Sequence, residues 1–159
     1  MKKIFYRAGY KYQLAEEYRV DVVINAKRSR RRQGYGGQAE LGDQTSEEQE
    51  VGIVTEYIDL STDGLLTIKK GYAWDGPSGP TRDTKSFMRG SLVHDALYQL
   101  MRNGLLPSSC REDADQELHR ICREDGMNRF RAWYILLGVR KGAGFAATPK
   151  AKKKLRVAP

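Results

Sequence analysis

Residues Ser91 to Asp115 read S-L-V-H-D-A-L-Y-Q-L-M-R-N-G-L-L-P-S-S-C-R-E-D-A-D, and the fold turns on how this stretch is parsed. Apolar residues recur at helical spacing from about Ser86 to Arg102, and Asn103-Gly104 then supplies a stop. Ser109 and Glu112 stand three apart ahead of a new apolar run, a capping box that opens a second helix ending near Gly126. A short turn between two helices is compatible with an antiparallel hairpin, and the pairing of residues below holds on that condition. The stretch carries His94, one of only two histidines in the chain. Asp95 is beside it, Tyr98 follows one turn later, and Asp115 sits on the next helix.

Helical phase sorts these residues. At about 100° per residue, the positions nearest His94 are Met101, Phe87, Gly90, Tyr98, Leu97 and Ser91, so the histidine lies in the middle of an apolar face. A buried imidazole needs a hydrogen-bond partner for at least one nitrogen. Asp95 points away, beside Met88 and Arg102. On the second helix Cys110, Ala114, Leu118, Ile121 and Cys122 form the inward face, with Asp115 on its border and Asp113 towards solvent. Asp115 is therefore the expected carboxylate partner of His94. Taken alone, such a buried pair more often fixes helix register than performs chemistry.

Working outward, residues 3–7, 10–14 and 18–24 are short, aromatic and β-branched, which reads as strands. In the last of these Val20, Val22 and Ile24 share one face, with Arg19 and Asp21 on the other. Strand character returns over Val51–Ser61, and Thr62-Asp63-Gly64 marks a hairpin turn. The hairpin leads into W-D-G-P-S-G-P, Trp74–Pro80, whose clustered glycines and prolines predict a shaped loop. A third helix is expected over about Asn128–Lys141, with Phe130, Tyr134 and Leu137 on one stripe and Trp133 and Leu136 beside it. The fold class expected is α+β: a small N-terminal antiparallel sheet followed by a three-helix C-terminal half, forming one domain over 1–145.

Two segments fall outside that pattern. Residues 27–50 carry five basic residues and then five acids, with almost no large apolar side chain, and predict a disordered insertion. Its R-S-R-R-R run lacks a surrounding fold and has cancelling acids nearby, so nucleic acid is not the expected partner. The formal charge of +8 is also uneven: seven Lys/Arg and no acid follow from Arg140 onward, leaving residues 1–139 at about +1. Residues 146–159 therefore read as a basic flexible tail, a solvated end that suits an anionic lipid surface. No run approaches the ~18–20 apolar residues of a membrane span. M-K-K-I-F-Y-R lacks the apolar stretch of a secretory signal. Cys110 and Cys122, twelve residues apart in sequence, would stand about 18 Å apart on one helix, too far to bridge. Reduced thiols imply synthesis in the cytoplasm.

The set His94-Asp95, Tyr98, a Gly/Pro loop before it and Asp115 after it resembles the H-D-x-x-Y signature of the phospholipase A2 superfamily. It is most similar to the viral-capsid branch, with H94-D-A-L-Y98, Gly104, Pro107 and then A114-D115-Q116. The resemblance implies that His94 is a general base activating water, that Asp115 orients it, and that Tyr98 supports the pair. It also implies calcium as cofactor, bound by Asp95 with carbonyls of Gly76, Ser78 and Gly79; Asp75 is a candidate further carboxylate ligand that the family pattern lacks. A neutral histidine and a hard cation suit ester hydrolysis. The segment from Gly71 to about Val139 also resembles an uncharacterised phage and prophage family with a W/T-D-G-x-S loop, then H-D-x-L-Y, then A-D. That implies a phage or prophage origin and a virion or assembly component as the non-enzymatic alternative.

The chain departs from the phospholipase pattern in two respects. Secreted members are held by disulfides, and their calcium loop reads Y-x-G-x-G, whereas W-D-G-P-S-G stands here and Pro77 removes a backbone donor. Other chemistries fit less well. A metal-dependent H-D phosphohydrolase needs a histidine upstream, and none precedes His94. His94, Asp95, Asp115 and His119 have the donor types of a transition-metal cage, but His119 leans about 40° beyond Asp115 and reads as a surface histidine. Zinc-ribbon, P-loop and dinucleotide motifs are absent.

Overall fold

A computed structural model describes residues 4–6, 11–24, 52–76, 84–142, 145–151 and 156–158. The insertion expected over 27–50 lies outside these residues, as do Ser78 and Gly79 of the Gly/Pro loop. The fold is α+β. Strands β1 (Ile4–Tyr6), β2 (Tyr12–Gln13), β3 (Tyr18–Asp21), β4 (Ile53–Val54), β5 (Ile58–Leu60), β6 (Leu65–Ile68) and β7 (Ala73–Trp74) precede three helices. These are α1 (Lys85–Arg102), α2 (Arg111–Glu124) and α3 (Arg129–Gly142), and β8 (Arg156–Ala158) comes last.

The main sheet is antiparallel in the order β3-β6-β5-β4, flanked by the pairs β2–β7 and β1–β8. Alternation in the sequence places one face of it in the core. Ile58 pairs with Ile68 and Leu60 with Leu66, and all four are at most 1% exposed. The β5–β6 turn closes at Gly64, whose φ of +104° admits glycine with least strain. Arg19 and Asp21 stay exposed, while Val22 and Ile24 beyond the strand are buried.

Helix α1 is the centre of the molecule. Leu92, Val93, Ala96, Leu97, Leu100 and Met101 join the buried sheet residues in one cluster, while Lys85, Arg89, Asp95, Gln99 and Arg102 form the less buried side of the helix. Against it lies α2, brought close by Gly90. A Cβ built at Gly90 would stand 2.7 Å from Cys122 Sγ and 3.2 Å from the Leu118 carbonyl oxygen. Gly90 is one turn before His94, so this close approach also sets how far the histidine must reach. Gly90→Ala is expected to lose about 1–2 kcal/mol in urea unfolding. Overpacking of ~1–3 kcal/mol outweighs the gain of up to ~1 kcal/mol from better helix propensity.

Polar contacts tie the sheet to α2. The Val23 N–H donates to Glu117 Oε1 at 2.8 Å, and Arg120 Nε donates to Glu117 Oε2 at 2.8 Å. Arg120 also donates to the Asp21 carbonyl at 3.0 Å. Glu117 is only 2% exposed; a buried carboxylate is tolerable because both its oxygens are occupied.

Three expectations need correction. The helix start differs from the expected one: α2 begins from Cys110, whose side chain makes no cap. A 3-10 turn over Ser108–Cys110 runs directly into α2, so Ser109 sits inside the helical run rather than at its N-cap. Asp115 is not on a border but fully buried at 0% exposure. Part of the expected tail belongs to the fold. The 3-10 turn Phe145–Ala147 places Ala147 in the main core, and Arg102 Nη1 donates to the Ala146 carbonyl at 3.3 Å. Short 3-10 turns carry no 3.6-residue repeat, which is why the pattern fades there without the fold ending.

Helix α3 buries its small side. Ala132 and Ile135 pack with Phe87, Leu118, Cys122 and Met127, while Phe130, Trp133 and Tyr134 are 78%, 51% and 58% exposed. Among the described residues no helix is long and apolar enough to cross a membrane.

Candidate His–Asp–Tyr site

Helices α1 and α2 bring three of the expected residues onto one oxygen. Asp115 Oδ1 accepts from His94 Nε2 at 2.9 Å and from the Tyr98 hydroxyl at 2.8 Å. The spacing explains this: His94 and Tyr98 lie one turn apart on α1, so their side chains share a face. Their ring centroids are 4.1 Å apart. Gly104, at φ +74°, ends α1 and lets the chain turn back, which brings Asp115 opposite the pair. Asp115 Oδ2 is buried with no hydrogen-bond partner among the described residues.

This geometry assigns the tautomer. Since Oδ1 accepts, His94 Nε2 carries a proton, and in the neutral ring the lone pair is on Nδ1. Nδ1 stands 3.9 Å from Asp95 Oδ1, too far for a direct hydrogen bond. Inward, Asp115 is sealed; on the Nδ1 side, the Asp95 side chain is 25% exposed. The His94 side chain itself is 10% exposed. Among the described residues Arg102 pairs with Ala146 rather than Asp95.

Electrostatics follow from the same contacts. Burial by itself would lower the His94 pKa. The hydrogen bond to Asp115 and the neighbouring Asp95 carboxylate outweigh it, and the net shift is upward from the ordinary 6.5. The proton is thus held more tightly folded than unfolded. The stabilisation this provides is complete below about pH 6.5 and is lost as pH rises through the folded pKa. Urea midpoints of wild type and His94→Gln should accordingly converge as the pH is raised from about 6 to about 9; a constant gap would contradict it. Burial first, and then Asp115, push the Tyr98 phenol well above its ordinary value. Tyr98 is a permanent hydroxyl donor.

One residue of the site, and one buried carboxylate away from it, escaped the sequence reading. Arg111 lies beside the Tyr98 hydroxyl and opposes its upward shift; its position one turn before Asp115 on α2 was the available signal. Glu117 gave no signal, since only its partner Val23 N–H, far off in sequence, explains its burial. Neither cysteine forms a disulfide, and both are buried. Burial chiefly pushes the Cys122 thiol up to about 12, so it is packing and not a nucleophile.

The expected metal ligands fare differently. Asp95 is beside His94. Gly76 is at φ +74°, packed so that a Cβ there would stand 2.5 Å from the Tyr12 ring, and Tyr12 in turn stacks on Trp74 at 5.5 Å. Asp75 is half-buried. Among the described residues no three His, Cys, Asp or Glu side chains gather as a metal cage. His94, Asp95, Asp115 and His119 therefore do not form one, and His119 instead lines a separate groove. No protein-family model, curated protein or solved structure matches the chain.

Proposed function

We propose that the protein is a hydrolase of carboxylic esters, of phospholipase A2 type and phage or prophage origin, working through a His94–Asp115 dyad. The observation that carries this reading is the pairing of His94 Nε2 with a sealed carboxylate at 2.9 Å, which leaves Nδ1 on the side of the partly exposed Asp95. A base must be oriented on one nitrogen and open on the other. In the reaction, water held at Nδ1 gives its proton to the imidazole as its oxygen adds to the ester carbonyl. Asp115 stabilises the imidazolium, and Tyr98 fixes the carboxylate. Collapse of the tetrahedral intermediate expels the alkoxide, which takes the proton back from Nδ1.

Calcium is part of this proposal through the donor set. Asp95 and Asp75 carboxylates with carbonyls of Gly76, Ser78 and Gly79 would be all-oxygen ligands, the kind a hard cation takes. When bound, the ion supplies positive charge for the developing oxyanion. The test is fatty-acid release from mixed anionic and zwitterionic phospholipid vesicles, with and without calcium, by wild type and by folded His94→Ala. Calcium-dependent release by wild type alone is expected; equal background rates would sink the enzymatic reading.

The second reading is a virion or assembly component in which the cluster only fixes the α1–α2 register. The residue-level exposure of His94, 8%, favours it. In that case substitutions cost stability and no hydrolysis is found in any variant.

A further inference from the structure

The outward side of α3 is unlike the rest of the surface. Phe130, Trp133 and Tyr134 expose most of their rings at i, i+3 and i+4 spacing, an arrangement soluble surfaces rarely keep without a partner. Beside them, between α2 and α3, is an open groove of about 420 Å³ lined by His119, Arg123, Arg129, Phe130 and Trp133. That volume is in the range of small-ligand sites. None of its lining residues belongs to the His94 cluster.

The lining is chemically one-sided. His119 and Arg123 are one turn apart on α2, and Arg129 reaches in from the first turn of α3, so three nitrogen donors meet from two helices. No acid lines the groove among the described residues. Arg123 Nη1 donates to the Met127 carbonyl, which fixes that guanidinium and leaves its other N–H groups. Neither His119 nor Arg129 makes a hydrogen bond or ion pair among the described residues. Phe130 and Trp133 pack tilted at 56° with centroids 5.8 Å apart, too close and too oblique to admit a ring between them. Together they form an apolar wall and not a slot.

We propose that this groove binds a phosphate ester, its phosphate on His119, Arg123 and Arg129 and its apolar or aromatic body against Phe130 and Trp133. Arginine forks match phosphate oxygens, and an aromatic face is a sequence-tolerant platform for a flat group. The phosphate is either that of a free soluble ester or that of a lipid headgroup, and binding does not depend on any activity at His94.

The two tryptophans make the test direct, because Trp74 is 7% exposed and Trp133 is 51% exposed. Emission from Trp133 is to be titrated with a nucleoside monophosphate, with the matching uncharged nucleoside, and with anionic and zwitterionic phospholipid vesicles. A saturable change is expected with the monophosphate or with anionic vesicles; whichever responds identifies the source of the phosphate. His119→Gln/Arg129→Gln should weaken it at least about tenfold, with the circular dichroism unchanged. Trp133→Phe should remove the signal. The proposal is overturned by no saturable response to either phosphate source, by equal affinity in the double variant, or by a nucleoside binding as tightly as its monophosphate.

Discussion

Asp115→Ala is expected to destabilise the protein by about 3–5 kcal/mol, the range for removing one partner of a buried ionic pair. Asp115 is fully buried and accepts from both His94 and Tyr98 on one oxygen. Truncation leaves two buried donors without an acceptor and a small void between α1 and α2. Against a total stability of ~5–15 kcal/mol, this is a large fraction, and the melting temperature should fall by roughly 10 °C. Tyr98→Phe removes one donor and leaves Asp115 paired to His94, so its cost should be nearer ~1 kcal/mol. Urea unfolding of the two variants checks the ordering. Equal, small losses would mean that Asp115 does not hold this junction together.

His94→Gln should lower ester hydrolysis about 10²–10⁴-fold, the usual contribution of a positioned general base, while keeping a donor for Asp115. Its stability loss should be well below that of Asp115→Ala, since the amide retains one hydrogen bond to the buried carboxylate. The contrast separates chemistry from packing: a structural pair gives stability losses with no difference in rate per folded molecule, whereas a catalytic base gives a large rate effect with a modest stability effect. Initial rates on phospholipid vesicles, normalised to folded protein, provide the comparison. A glutamine variant as active as wild type would return the cluster to a purely structural role.

Much of this architecture could be read from residue order. Period-2 alternation in β3 and the β5–β6 hairpin, followed by three stretches of helical spacing, predicted the α+β arrangement. Helical phase alone matched His94 to Asp115 over its immediate neighbour Asp95. Features set by tertiary contact could not be read in this way. The burial of Glu117 depends on a backbone N–H nearly a hundred residues earlier. The apolar stripe of α3 gave no sign that Ala132 and Ile135 would be buried while the larger rings face out, because periodicity locates a face without saying which neighbour covers it. Ala147 enters the core from a 3-10 turn too short to show a repeat. The start of α2 differs from expectation because the turn over Ser108–Cys110 runs directly into the helix.

The most direct test of the His94 assignment is the pH dependence of fatty-acid release by wild type and by His94→Gln, followed from about pH 5 to about pH 9. Only the neutral imidazole accepts a proton, and its two carboxylate neighbours raise the pKa of His94 above the ordinary 6.5. Wild type should gain activity as the pH rises through that raised pKa. The glutamine variant should stay low and flat across the range. Equal rates for the two proteins, or the same rising limb in both, would contradict a water-activating His94–Asp115 dyad.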